Sequence, residues 1–583
     1  MSMDDVILIN DQWYVLATSS RADDHTRVLK QGETFAVYDR YGDMQHIGLG
    51  DQGLFHAGTR YLSHFELTIN NRRPLMLNST VKDDDSLMAV DLTTPDLFEG
   101  DQCILPKGTL HLFRGQMLWN GVQYSHIRLQ NFGEQQYRFT MEIKIDADYD
   151  DVFEVRGVRR LHSGEHLETE HTDRGIIMSY RGLDGVIRRT RMHFSIPPDA
   201  CENKTARFSF VLDPHELQHF YIQTACETGE RESEPMDYYG AFQQTNEAIN
   251  NIKQSAGEVF TSNEQFNDWI NRSAADLSML ITMTEYGAYP YAGVPWFSAP
   301  FGRDGIITSL QYLWLYPQMA RGVLAYLSAT QAREHDAASD SEPGKILHEA
   351  RHGEMANLGE IPFKQYYGSI DSTPLYIILA GEYYNRTGDR SFIESIWSNL
   401  DAALHWIDVY GDKDGDGFLE YARESENGLV QQGWKDSNDS VYHQDGSLAE
   451  APIAICEVQG YVYMAKLEFA RLARVFGETA RAEELEHQAE QLKKKFNEDF
   501  WCEDLNTFAL ALDGNKQPCK VRSSNAGHLL YTGIANKEYA LRTAETLLSS
   551  ESFSQWGIRT IEQGQARYNP MSYHNGSVWP HDN

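Results

Sequence analysis

Up to about Asp237 the chain alternates apolar and polar residues in short runs separated by turn signals. ETFAVYDR, HFELTIN before the turn NRRP, TLHLFRGQMLW, YRFTMEIKIDADY, RGIIMSYRG, RMHFSIP and RFSFVLD all show the alternation. A period of two in residues rich in Val, Ile, Phe, Tyr and Thr marks a strand with one buried face. So many in succession, with no helical break, predict an antiparallel β-sandwich over residues 1–237. Within it, Arg156, Arg159 and Arg160 read as a solvated basic face.

The texture then changes. The segment RESEPMDYYGAFQQTNEAINNIKQSAG is polar and then helix-prone, which predicts a helical linker over 238–260. Beyond it the apolar period becomes helical, starting in TSNEQFNDWINRSAADLSMLITMT with Thr261 or Ser262 as the cap. Further helices are expected over GIITSLQYLWLY, MARGVLAYLSATQAREH, STPLYIILAGEYYNRTG, FIESIWSNLDAALHWIDVYG, VQGYVYMAKLEFARLARVFG, TARAEELEHQAEQLKKKFN and NKEYALRTAETLLSS. They fall in successive pairs joined by long loops, and the loops carry the Gly, Pro, Trp and acidic clusters. That pattern fits a ring of helical hairpins around a central pit over 261–583.

Composition narrows the function classes. At 583 residues the chain exceeds one small core and should hold at least two domains. A formal charge of -34 repels phosphate backbones and anionic lipid, so neither nucleic acid nor membrane is expected as a partner. A neutral glucan would be unaffected by that field, and 31 Tyr, 26 Phe and 11 Trp suit sugar handling. MSMDDVILINDQWYVL has no basic region leading into an apolar run, and six scattered cysteines form no CxxC pair, so a cytoplasmic location is expected.

The chemistry concentrates in four loops. GLVQQGWKDSNDS places Asp436 directly after Trp434 and Lys435, with Asp439 close behind. An indole wall raises a carboxyl pKa, and its flat face offers a platform for a pyranose ring. The bland alternative is a core Trp beside a solvated loop acid. YPYAGVPWFSAPFGRDG ends in Arg303 and Asp304 at the mouth of a helix, where they either cap it or bind sugar hydroxyls beside Trp296 and Phe301. EIPFKQYYGSIDSTPLY sets Asp371 before a helix, with Tyr366 and Tyr367 adjacent. MSYHNGSVWPHDN gathers His574, Asn575, Trp579, His581 and Asp582, a set better suited to sugar hydrogen bonds than to a metal. In GDKDGDGFLEY, Asp412, Asp414 and Asp416 resemble the start of a calcium loop, but its twelfth position is Arg423 where a Glu is needed. A turn is expected there, and no metal or organic cofactor is assigned. With no GxSxG elbow, no GxxxxGK[ST] and no GxGxxG that opens a helix after a strand, acid chemistry at an acetal carbon remains.

The order FGRDG, YYGSIDSTPL, DGDGFLEY with QGWKDSNDS, EAPIAICEVQGY and YHNGSVWPHDN resembles the bacterial glycogen-debranching, amylo-α-1,6-glucosidase-type proteins. GLFHAGTRYLSHFELTINNRRPLML is similar to the β-rich domain that precedes their catalytic barrel. The resemblance implies an (α/α)6 toroid that hydrolyses an α-glucosidic bond with inversion and without a cofactor. It also implies Asp436 as general acid, with Arg303, Asp304, Asp371, Trp434, Lys435, Glu457, Gln459, His574, Trp579 and His581 lining the sugar subsite. Members carry their base in a Pro-Glu-Leu-Phe-like segment after the HNGSVWPHDN motif, so the base is expected beyond Asn583 and the barrel incomplete; Glu457 or Glu450 are the alternatives. Relatives act on trehalose, short α-glucosides, mannosyl compounds or rhamnosides, which leaves the sugar open. A protein that binds carbohydrate without cleaving it is the reading from another class.

Overall fold

The computed structural model describes residues 6–9, 12–15, 26–45, 50–202, 204–230, 233 and 236–583. The N-terminal stretch read as free of a secretory signal falls largely outside them. The chain divides into two compact units. The first comprises Met1–Met283 with Pro290–Ala299 and Arg351–Glu360; the second comprises Thr284–Tyr289, Pro300–Ala350 and Ile361–Asn583.

The first unit is β-rich and antiparallel. Its largest sheet has nine strands and runs in the order Glu165–His166, Gly175–Arg181, Ile187–Phe194, Leu217–Thr228, Val122–Asn131, Leu110–Trp119, Met88–Thr93 and Leu75–Val81, with Glu170–Thr172 paired on Gly175–Arg181. A four-stranded sheet orders Ala200–Glu202, Thr205–Leu212, Tyr137–Asp146 and His64–Ile69. The alternation seen in RFSFVLD is realised in it: Ala206, Phe208, Phe210 and Leu212 are buried, and the residues between them are not. These side chains share one core with Leu112, Ile127, Leu129, Phe220 and Ile222 of the large sheet, as a sandwich requires.

Two helices belong to this unit, Tyr238–Ser255 (α1) and Glu264–Leu280 (α2). Helix α1 lays Ala241 on the face of the large sheet formed by Met117, Val122 and Tyr124. Helix α2 starts later than the expected Thr261 or Ser262 cap. Asn263 is the cap, its side-chain oxygen accepting from the Phe266 N–H at 3.2 Å, while Thr261 folds back onto Asn267. The basic face also needs correction at Arg160. Its side chain is buried and paired with Glu154, Glu354 and Glu360, so only Arg156 and Arg159 remain exposed.

The second unit is built from four helical hairpins: Gly302–Tyr312 (α3) with Pro317–Ala329 (α4), Ser372–Thr387 (α5) with Trp397–Val409 (α6), Cys456–Phe476 (α7) with Thr479–Asp499 (α8), and Asn525–Thr532 (α9) with Lys537–Leu547 (α10). The first members pack on one another in succession, α3 on α5, α5 on α7 and α7 on α9. Burial explains this layering. Helix α5 is buried on nearly every face from Ser372 to Gly381, as an inner helix must be. Helix α8 buries the stripe Ala482, Leu485, Ala489, Leu492 and Phe496 and leaves its other faces polar, as an outer helix does. At the start of α3 the chain passes so close to the Leu347 carbonyl that a Cβ on Gly302 would lie 1.9 Å from it, and only glycine fits. No helix among the described residues is long and apolar enough to cross a membrane.

Candidate active site

The N-termini of the four inner helices meet at one end of the second unit, and each brings a polar residue there. Helix α3 supplies Arg303 and Asp304 in its first turn, Asp371 precedes α5, Glu457 lies in the first turn of α7, and Asn525 opens α9. Unsatisfied N–H groups and the positive end of the helix dipole favour carboxylates at such positions.

Arg303 organises the acids. Its Nη1 donates to Asp371 Oδ2 at 2.9 Å, and its Nη2 lies 4.0 Å from Asp436 Oδ2. Burial works against the guanidinium charge, but Asp371, Asp304 and Asp436 hold its pKa above the ordinary value. Asp371 also accepts from the Ser369 hydroxyl at 2.6 Å, so it bonds to Arg303 and makes no cap bond to its own helix. Asp304 is pushed upward by burial, against the pull of Arg303.

Asp436 sits in the loop between α6 and α7. The backbone of this loop is tied down where Ile370 N–H donates to Gln432 at 2.9 Å. Tyr366 adds a second tie, donating to Asp340 and accepting from Leu429 N–H, each at 2.7 Å. Burial pushes the Asp436 carboxyl up to about 6; Arg303 opposes this, and the charges of Asp304, Glu349 and Asp371 reinforce it. Yet 29 % of the side chain remains accessible, so a ligand can reach it. The carboxyl is recessed, raised above the ordinary carboxylate range and still partly accessible.

An aromatic and imidazole wall stands beside it. Trp434 is buried, with its ring centroid 4.9 Å from His581, 5.5 Å from His574 and 6.1 Å from Trp579. Burial pushes both His574 and His581 down to about 3, so both are neutral. The Nδ1 of His574 accepts from the Ser437 N–H at 3.3 Å, which leaves the proton on Nε2 as a donor. His574 Nδ1 lies 4.0 Å from Asp436 Oδ1. Four buried polar atoms around this wall have no protein partner: Trp434 Nε1, Asn575 Oδ1, His581 Nε2 and Asp582 Oδ2. Buried polar atoms are normally paired, so a group of them beside Asp436 sets this wall apart from the rest of the core.

Other expected subsite residues are already committed to the protein. Lys435 Nζ donates to Asn525 Oδ1 at 2.6 Å, the Thr560 carbonyl at 2.7 Å and Ser524 Oγ at 2.9 Å, using all three of its protons. Burial lowers it to about 8 against the opposing charges of Asp582 and Glu457. Gln459 clamps the backbone of Leu419 from both sides, accepting its N–H at 2.9 Å and donating to its carbonyl at 2.8 Å. Glu457 accepts from Asn525 at 2.8 Å, and burial raises its pKa. Glu450 is exposed. Trp296 belongs to the first unit, where its carbonyl accepts from Arg351 at 2.8 Å. Tyr366 and Tyr367 direct their hydroxyls at Asp340 and the Thr330 carbonyl.

Sequence reasoning missed Glu349, Asn525, Tyr461 and His528. Tyr461 bonds His528 at 2.9 Å, and His528 bonds Asp582 at 3.0 Å. SSN before an apolar run is a helix-start signal that could have exposed Asn525, whereas nothing local distinguishes Glu349 or His528. At the acidic turn, Asp412, Asp414 and Glu420 lie close enough to hold a cation. The ammonium of Lys516 approaches Asp414 at 2.9 Å and Asp416 at 2.8 Å and also pairs with Glu420, while Asp412 accepts the N–H groups of Gly415, Asp416 and Gly417.

A family model for the N-terminal domain of (some) glycogen debranching enzymes matches residues 29–223. A second, for a mannosylglycerate hydrolase MGH1-like glycoside hydrolase domain, matches residues 304–583. The chain is an enzyme of the glycosidase type. The matched residues of this second model take in every carboxylate and imidazole of the cluster. No curated protein matches the chain by sequence. Among solved structures, a bacterial glucoamylase complexed with acarbose aligns over 96% of this chain and 85% of its own, at 9% identity and a TM-score of 0.58. A protein described as a kojibiose phosphorylase from the human microbiome aligns over 83% of this chain and 69% of its own, at 9% identity and a TM-score of 0.52. At that identity the likeness concerns the fold: a β-rich domain followed by the helical domain of the (α/α)6 glycosidases.

Proposed function

We propose that this glycosidase cleaves α-glucosidic bonds with inversion, acting on the α-1,6 branches of a glycogen-like glucan in the cytoplasm, with Asp436 as its general acid. The observation that carries the proposal is the state of Asp436: a carboxyl pushed up to about 6, reachable by ligand, beside a wall with unpartnered polar atoms. An acid poised there holds its proton at mildly acidic pH and releases it to a departing glycosidic oxygen. Arg303 lowers the cost of the carboxylate left behind. The sugar ring packs against Trp434 and Trp579, and its hydroxyls bond the Trp434 and His574 N–H groups, His581 and Asp582. Lys435, Gln459, Asp371 and Glu457 act from behind, fixing the helix ends and Arg303.

Inversion needs a second carboxylate, roughly 6.5–9.5 Å from the first, to activate water on the opposite face of the ring. Glu457 is held by Asn525 and Glu450 is exposed, so neither is assigned that role. The debranching reading draws on the match of residues 29–223, and the name of the model matching residues 304–583 supports a second reading, hydrolysis of a small glycoside. Hydrolysis of limit dextrin, isomaltose, trehalose and aryl α-glucosides, with the anomer of the product read by NMR, decides between them. Release of β-glucose from limit dextrin and isomaltose supports debranching; turnover confined to small glycosides supports the second reading; retention of configuration rules out the mechanism.

A further inference from the structure

Between α4 and α5 the chain leaves the second unit after Ala350, joins the first unit over Arg351–Glu360 and returns at Ile361. This excursion contains the helix Glu354–Leu358, whose five residues are too few to persist on their own hydrogen bonds. Its cap residue, Gly353, has no side chain to offer. Asp151 stands in for it, its Oδ2 accepting the Met355 N–H at 3.3 Å. Arg160 grips the helix at both ends. Its Nε and Nη2 donate to the two carboxylate oxygens of Glu360 at 2.6 and 2.8 Å, and Nη2 also donates to Glu354 Oε1 at 3.1 Å. Nη1 reaches Glu154, the residue that completes the capping box of Asp151, at 3.4 Å. Only 3 % of the Arg160 and Glu354 side chains is accessible, so their pairing is desolvated and its loss would strand a buried charge.

Both ends of the excursion run into the acid site. Glu349, just before it, bridges Phe301 on one side and Tyr366 on the other. The Gly302 N–H donates to the His348 carbonyl at 2.8 Å, the His348 N–H to the Tyr366 carbonyl at 2.7 Å, and the Tyr366 N–H to the Glu349 carbonyl at 3.0 Å. Arg303 and Asp304 follow directly on Gly302, and Asp371 lies on the segment that leaves Tyr366. The Tyr366 hydroxyl accepts from the Leu429 N–H in the loop that bears Asp436. A shift of Glu349 or Tyr366 is therefore passed to Arg303 and to the backbone of the Asp436 loop.

We propose that Arg160 is a positioning residue for the glycosidase site: by clamping Glu354 and Glu360 it holds the excursion in place, and through Glu349 and Tyr366 it fixes Arg303 and the loop of Asp436. Its effect on turnover rests on the reading of Asp436 as the acid, whereas its effect on the backbone does not. The test compares the full chain with Arg160→Met and Arg160→Lys by hydrogen exchange and by turnover of an aryl α-glucoside. In Arg160→Met, exchange should accelerate about tenfold, the worth of one hydrogen bond to a charged group, in peptides covering 352–360 and also in those covering Gly302, Tyr366 and Leu429. The strand Thr205–Leu212 should keep its protection. A catalytic group misplaced by about 1 Å costs up to about 100-fold, so kcat should fall at least about tenfold with KM changed less than about twofold. Arg160→Lys keeps the charge without the two-pronged grip and should fall between the two. Glu360→Gln serves if Arg160→Met unfolds the first unit, and it should give the same exchange pattern more weakly. Faster exchange confined to 352–360, or kcat unchanged while Gly302 and Tyr366 loosen, would overturn the proposal. Absence of turnover in the unaltered chain would count against the catalytic reading, and the exchange pattern alone would then decide this one.

Discussion

Replacing Asp436 by Asn should stabilise the protein, and by an amount that depends on pH. In the unfolded chain the carboxyl titrates near 3.8, whereas burial in the folded protein, reinforced by Asp304, Glu349 and Asp371, moves it to about 6. Between those values the folded chain holds a proton that the unfolded chain has released, so stability falls as pH rises. Above about pH 6 the whole cost of the buried charge applies. A displacement of about two pH units corresponds to about 3 kcal/mol at the usual 1.4 kcal/mol per unit. Asn at this position carries no charge at any pH and escapes the cost. Wild type and Asp436→Asn should therefore unfold with equal free energy below about pH 4 and separate progressively, until above pH 6.5 the variant is the more stable by about 3 kcal/mol. Unfolding calorimetry at half-unit intervals from pH 4 to 8, following the transition of the second unit, reads the difference. A constant gap across that range, or a variant destabilised at pH 7, would mean that the carboxyl is already comfortable as an anion and would remove the reason for calling it an acid.

Lys435→Met should destabilise the protein by about 3 kcal/mol or more, because it leaves Ser524, Asn525 and the Thr560 carbonyl without their common donor inside the protein; urea unfolding measures it. Trp434→Phe keeps the ring face and removes the unpartnered Nε1, so KM should rise about fivefold, equivalent to one hydrogen bond of about 1 kcal/mol, with kcat changed less. Turnover should survive dialysis against EDTA, because the Lys516 ammonium already pairs with Asp414, Asp416 and Glu420 where a cation would sit; a loss restored by calcium would show that the turn holds a catalytically needed ion.

The layers of the fold were legible because burial imposes period. Phe208 and Phe210 alternate with polar neighbours because the strand has one wet face, and Leu485, Ala489 and Leu492 recur at helical spacing because α8 lies outside. The motif loops were legible too, since Arg303, Asp304, Asp371 and Asp436 stand beside Gly, Trp and Ser in stretches that interrupt the helices. What a polar side chain does once buried was not legible. Lys435 and Gln459 sit within sugar-site motifs, yet their partners, Asn525 and Leu419, lie 90 and 40 residues away. Arg160 has the composition of a surface residue and is buried by acids that include Glu354, 194 residues distant. Pairing over such separations is decided by the packed helices and sheets, and local sequence carries no trace of it.

The most direct test of the account compares two leaving groups on the Asp436→Asn enzyme. Fluoride departs from α-glucosyl fluoride with little need of a proton, whereas the sugar oxygen of isomaltose needs one. The variant should lose at least about 100-fold in kcat/KM on isomaltose, the low end of what a general acid contributes, and keep most of its activity on the fluoride. Equal loss on both substrates, or isomaltose turnover at the wild-type rate, would contradict it.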